Sequence, residues 1–182
     1  MEKKRCKWCL GHKENYIAYH DNEWGRLNLD RRYLFEMLLL ESFQAGLSWE
    51  CVLDKREAFR KYFMNFNPER IASFDDKKVE ELLSNKGIIR SRKKIEAAVT
   101  NAQAFLKVEK EFGSFKAYLL SFAKGEILCE TGKTKNSLSD ALAADLKKRG
   151  MKYFGSTIAY SYLQAVGLIN SHEKECFLSP RK

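Results

Sequence analysis

The chain has 182 residues, 45% hydrophobic and 13% aromatic, enough to fill the core of one domain or of two small lobes sharing an interface. Lysine and arginine number 33 against 24 acidic residues, and the resulting charge of +9 favours phosphate-rich partners through counterion release without naming one. The richest apolar run, Met37-Leu38-Leu39-Leu40, stops at Glu41, so no membrane span is expected. Met1 to Cys6 includes basic residues with no apolar segment behind them, so no signal peptide is expected. Five cysteines, an odd number, fit a reducing cytoplasm better than a disulfide framework.

Two prolines and scarce strand-like alternation predict an all-α protein. Asp30 caps a helix with Leu34, Phe35, Leu38 and Leu39 on its apolar face, ending near Gly46. Ser48 caps the next, which carries Val52, Phe59 and Phe63. Asn67-Pro68 reads as a cap with proline in the first turn, and Asp75 precedes a short helix with Val79, Leu82 and Leu83. Ile95, Ala98, Val99, Ala102, Phe105 and Leu106 recur at helical spacing over three turns. Ser114 opens a helix through Tyr118, Leu119 and Phe122. Ser137-Leu138-Ser139-Asp140 fits a capping box for a helix that Gly150 closes, and Ser156 to Gly167 is the last helix. The glycine- and lysine-rich stretch from Gly125 to Asn136 is expected to be a surface loop.

Cys6 and His20 near the start, and His172 and Cys176 near the end, are of the types that close a tetrahedral structural zinc site. Such a site would tie the two ends of a folded domain together. Buried cysteines also pack as small hydrophobes, and Cys6-x-x-Cys9 with His12 offers a competing set of ligands or a redox pair.

Three stretches carry chemistry. Asn85 to Lys94, with Gly87 and several basic residues, joins two predicted helices. It is either a helix-hairpin-helix DNA-backbone clamp or a plain interhelical turn; Ile89 stands where the clamp usually has its second glycine. Asn15 to Gly25, preceded by Trp8, is dense in aromatic and hydrogen-bonding groups suited to a core or to stacking on a planar ligand. Glu41 ends an apolar helix, where it is either solvent-facing or a buried acceptor for a polar or cationic ligand.

Together these stretches resemble the bacterial DNA-3-methyladenine glycosylase I family over nearly the whole chain. The resemblance rests on Tyr16-Ile17-Ala18-Tyr19-His20-Asp21-Asn22-Glu23-Trp24-Gly25, Gln44-Ala45-Gly46-Leu47-Ser48-Trp49, Gly87-Ile88-Ile89-Arg90, Leu146-Lys147-Lys148-Arg149-Gly150 and Gly167-Leu168-Ile169-Asn170-x-His172-x-x-x-Cys176. It implies an all-α, helix-hairpin-helix glycosylase with a hairpin at 85–95, folded as a single unit of two helical lobes over residues 1–182. It also implies a monomer that acts on alkylated duplex DNA and releases 3-methyladenine. Cys6, His20, His172 and Cys176 become the ligands of one structural zinc, with Cys9 a bystander. Glu41 becomes the catalytic carboxylate, with Tyr19, Trp49, Tyr16, Trp8 and Trp24 around the base. Gly46, Leu47, Gly87, Ile88, Arg90 and Lys94 become the DNA contacts. Phe43 departs from the family, which often has a second glutamine there.

Overall fold

A computed structural model describes residues 3–180. It is all-α apart from one two-residue parallel pairing, as expected. In chain order the elements are α1 (Glu14–Asn22), α2 (Arg31–Gln44), α3 (Trp49–Leu53), α4 (Arg56–Tyr62), α5 (Pro68–Ala72), α6 (Asp76–Ser84), α7 (Arg92–Phe112), α8 (Phe115–Ala123), β1 (Leu128–Cys129), α9 (Ser137–Lys148), α10 (Ser156–Ala165) and β2 (Ile169–Asn170). No helix of the described residues is long and apolar enough to cross a membrane.

Caps chosen for their short oxygen-bearing side chains behave as expected. Asp30 accepts from the N–H groups of Arg32 and Tyr33, Ser48 from Cys51, Asn67 from Arg70, Asp75 from Lys78 and Ser114 from Ala117. The capping box of α9 lies one residue earlier than expected. Asn136 Oδ1 accepts from the Ser139 N–H, the third of the helix, and Ser139 Oγ accepts from the Asn136 N–H, so the two satisfy each other reciprocally. The helix expected after Ser48 is broken into α3 and α4 near Lys55, which makes no side-chain cap. Part of the expected loop between Gly125 and Asn136 is β1, whose Leu128 and Cys129 pair with Ile169 and Asn170.

Helix α2 is the hub. Every residue from Leu34 to Phe43 is buried, so it is covered all round and its pattern cannot be a one-sided stripe. It packs on α3, α7, α8 and α10; α5, α6 and α8 pack on α7, while α9 pairs with α10. A buried ion network fixes the approach of α1 and α4 to this hub. Arg56 donates through Nε to Glu36 (2.7 Å) and through both terminal nitrogens to Glu23 (2.8 Å each), and Arg60 donates to Glu36. Paired forks of this kind offset the desolvation of buried charge only while every member is present.

The segment after α1 lies against the end of α10, with Gly25 N–H donating to the Gln164 carbonyl and Asn28 N–H to that of Val166. Gly167 makes this contact possible, since a Cβ there would stand 2.1 Å from the Arg26 carbonyl carbon at φ +79°. Gly167→Ala should therefore lower unfolding free energy by more than ~2 kcal/mol. Gly132→Ala, at φ +73° with nothing within 4 Å, should cost about 1 kcal/mol from backbone strain alone. Denaturant titration of both variants tests the difference, and equal losses would show that the close approach is not limiting.

Candidate active site and metal cluster

α1, α2, α3 and α10 line an open cavity of about 290 Å³. The five rings expected to surround a base, Trp8, Tyr16, Tyr19, Trp24 and Trp49, all line it, as does Glu41. Tyr19 and Trp49 lie 5.3 Å apart and tilted, and Trp8 meets Tyr16 (5.3 Å) and Trp24 (4.9 Å) edge-on. Gln44, Ser161 and Gln164 complete the lining. Of the six buried side-chain polar atoms with no protein partner among the described residues, four belong to this cavity: Trp8 Nε1, Trp49 Nε1, Glu41 Oε2 and Gln44 Oε1. Unsatisfied buried donors and acceptors are costly, and their concentration here marks a place built for a polar, flat ligand.

Glu41 is 2% exposed, and burial pushes its carboxyl well above the ordinary range. Without a cation beside it, the neutral acid is favoured; a cationic ligand would favour the carboxylate. Aromatic faces on several sides attract the same kind of ligand. A second cavity, about 620 Å³, lies at the α9–α10 turn. It is larger, but none of the unpartnered buried atoms lines it, so the chemistry favours the aromatic cage.

Behind the cage the first and last described segments converge. One ligand atom each from Cys6, His20 and Cys176 fall within 4.8 Å of one another, and the His172 ring centroid is 5.1 Å from that of His20. Both histidines have Nδ1 engaged, His20 with Asp21 Oδ1 at 2.8 Å and His172 with Asn170 Oδ1 at 2.9 Å. Arg5 holds Asp21 with a fork of its own. His20 Nε2 accepts from Cys6 N–H at 3.4 Å and meets Cys176 Sγ at 3.6 Å, whereas His172 Nε2 is buried without a partner and lies outside the three-residue group. Cys6 Sγ accepts from Glu173 N–H and Cys176 Sγ from Leu178 N–H, contacts that suit thiolates. Burial and the neighbouring Cys176 push the Cys6 thiol up to about 12, while burial and His20 bring His172 down to about 4. A neutral His172 imidazole and a thiol that needs a nearby cation to ionise are donors of the kind that could hold a metal ion. Gly25 belongs to the construction, because a Cβ at its φ of +70° would press on the His172 ring at 2.7 Å.

Cys9 is buried but gives its thiol proton to the Cys6 carbonyl, and His12 pairs with Glu50 and stacks on Tyr16. Neither joins the cluster, which resolves the competing set read from the sequence.

The expected DNA contacts divide. Leu47 is exposed at the turn after α2, beside Gly46 at φ +78°. Arg90 is exposed between α6 and α7. Ile88 is buried, so only its backbone could meet DNA. Lys94 points inward and donates to the carbonyls of Phe43 and Ala45. Gln44 was overlooked as a site residue although it lies three positions after Glu41, on the same face of α2. Ser161 and Gln164 gave no comparable signal, since only packing brings α10 to the cavity. The α9–α10 turn, flanked by Gly150 and Gly155, is a second helix–turn–helix. No side chain caps the α10 N-terminus, and Lys147 and Lys152 line the adjoining cavity.

An aromatic cage around a buried carboxyl, set in a basic helical protein, is the candidate site of this fold. The family model described as methyladenine glycosylase matches residues 8–179. DNA-3-methyladenine glycosylase 1 of Escherichia coli (strain K12) is 45% identical over 184 residues, covering 97% of each chain. A crystal structure of 3-methyladenine DNA glycosylase I superposes with a TM-score of 0.93 at 48% identity, over 97% of this chain and 100% of that one. A single-residue variant of 3-methyladenine DNA glycosylase I in complex with 3-methyladenine gives a TM-score of 0.92 at 35% identity, over 97% of each chain. The chain belongs to the methyladenine glycosylase family.

The Glu41 carboxyl gives a stability test. Its folded-state pKa is raised, so its contribution is fully present below the unfolded value and is lost as pH rises through the folded value. Glu41→Gln should melt above the parent at pH 7, with the gap closing as pH falls toward the ordinary carboxylate range. A gap independent of pH, followed by calorimetry, would count against a neutral buried acid.

Proposed function

We propose that this chain is a DNA-3-methyladenine glycosylase that hydrolyses the bond between the methylated base and deoxyribose in alkylated duplex DNA. The observation that carries this reading is the cage with its four unpartnered polar atoms and buried Glu41. Methylation at N3 gives adenine a positive charge, which the ring faces and the Glu41 carboxylate complement. Neutral adenine would leave Glu41 buried without its counter-charge, and this difference supplies discrimination.

The base lies inside the duplex stack, so the nucleotide must be flipped into the cage. Leu47 and Gly46 fill the gap, as exposed apolar groups do at unstacked steps. Arg90, the backbone around Gly87 and Ile88, and the overall positive charge hold the phosphates. The α9–α10 turn, with Lys147, Lys152 and the backbone N–H groups opening α10, provides a second backbone clamp.

In the chemical step the C1′–N9 bond breaks and its electron pair goes to the base, which leaves neutral. Water adds to C1′ and loses a proton, leaving an abasic site. A cationic purine is already a good leaving group, so binding and desolvation supply most of the rate. Among the described residues no lysine lines the cage, which supports a monofunctional hydrolase without a Schiff base.

Cys6, His20, His172 and Cys176 hold one structural zinc in this reading. Four protein ligands leave no position for water, so the ion fixes the fold and takes no part in the chemistry. The enzyme acts as a monomer, one unit of two helical lobes meeting on α2.

Methylated duplex DNA incubated with the protein should release free 3-methyladenine and retain 7-methylguanine, read by chromatography of the bases. Tight DNA binding without release would instead make the chain a damage-binding protein. Glu41→Gln should lose excision by about 10²-fold or more while remaining folded, and unchanged release would remove Glu41 from the reaction. Borohydride should trap no lysine adduct. Cys176→Ser should lower zinc content below one ion per chain and reduce the melting temperature, with metal analysis and calorimetry as the checks. Full zinc occupancy at an unchanged melting temperature would exclude Cys176 as a ligand.

A further inference from the structure

Lys94 is the third residue of α7 and follows Arg92 and Lys93. Positive charge in the first turn of a helix is disfavoured by the helix dipole, so each of these residues needs compensation. Arg92 finds it in Glu80 and Glu96, and Lys93 faces solvent. Lys94 instead turns inward, and its Nζ donates to the Phe43 carbonyl at 2.8 Å and the Ala45 carbonyl at 2.6 Å.

Those acceptors are the end of α2. A helix C-terminus leaves carbonyls without intrahelical partners, and α2 has no basic residue in its last turn. The chain leaves the helix at Ala45 with ψ 113°. Leu47 N–H closes onto the Gln44 carbonyl at 2.6 Å. Three successive carbonyls, of Phe43, Gln44 and Ala45, are thus satisfied by two groups, and the ammonium takes the outer pair. The residues fixed in this way carry Gly46 and the exposed Leu47. The Tyr153 ring of the α9–α10 turn lies 5.9 Å from the same ammonium, so one cation joins two turns that the proposed function sets against DNA.

We propose that Lys94 is a positioning residue. It holds the Ala45–Leu47 turn in the conformation that meets the duplex, and its charge is spent on α2 carbonyls rather than on a phosphate. The part concerning DNA rests on the glycosylase reading. The part concerning the turn does not.

Lys94→Gln and Lys94→Arg separate the roles. In the free protein, hydrogen exchange at the Gly46 and Leu47 amides should quicken at least 10-fold in both variants, because a planar guanidinium does not reproduce a compact ammonium between two converging carbonyls. Free 3-methyladenine, followed by tryptophan fluorescence, should bind within about twofold of the parent, showing the fold and cage intact. Single-turnover release from methylated duplex should fall about 10-fold or more. The slope of log affinity against log salt should stay unchanged, whereas losing a phosphate contact would reduce it by about 0.9.

Unchanged amide exchange in both variants would overturn the proposal. So would a reduced salt slope in Lys94→Gln that Lys94→Arg restores together with release. Should the parent release no base at all, the glycosylase reading falls, while amide exchange still decides what Lys94 does to the turn.

Discussion

The rings of His20 and His172 stand between the chain ends and the ligand cavity, and the arrangement of the cage depends on that contact. Trp8 meets His20 edge-on at 5.3 Å, and Trp24 meets His172 at 4.8 Å. The His20 imidazole turns its Nε2 toward Cys6 and Cys176, while His172 Nε2 is buried without a partner. Whatever fixes the histidines therefore fixes two walls of the cage. Asp21 and Asn170 orient the rings from behind, and Gly25 leaves His172 room to lie where it does. A metal bound by these groups would stabilise recognition from outside the cavity, with no contact to the base.

Inside the cage the electrostatics run the other way. A folded core avoids a carboxyl with no partner, yet α2 buries Glu41 with one oxygen unsatisfied. The protonated acid is the compromise available without a ligand, and a cation offers the better one. Stability is given up where binding needs it, the usual relation between a strained site and its scaffold. Glu36, one and a half turns earlier on the same helix, is buried too but is met by Arg56 and Arg60. Two buried glutamates on one helix thus differ: Glu36 joins α4 to the hub, and Glu41 keeps one oxygen without a partner among the described residues.

Helix α2 links these features, since it carries Glu36, Glu41 and Gln44 and ends at the turn held by Lys94. The carbonyls that close its last turn are satisfied from α7, far along the chain. Cage and turn are thus carried by one helix, and Leu47 is placed relative to Glu41 by its own N–H on the Gln44 carbonyl and by the Lys94 ammonium on the carbonyls of Phe43 and Ala45.

Much of this was legible in the residues themselves. Asp30, Ser48, Asn67, Asp75 and Ser114 cap their helices because a short side-chain oxygen beside free N–H groups acts locally. The cage rings and the four metal-type side chains stood out as clusters or as a family pattern. Helix α1 was less legible, since its residues serve the cage and the cluster as well as the core and blur any simple apolar stripe. The parallel pairing of β1 with β2 was hidden because its partners lie far apart in the chain. Lys94 read as a DNA contact beside a glycine turn, and the network role of Arg56 had no local signal. Their partners, the carbonyls of α2 and the carboxylates of Glu23 and Glu36, adjoin them only after folding. Local hydrogen bonding determined the helices, and residue chemistry marked the candidate site residues; long-range packing alone decided which buried groups were left unpaired.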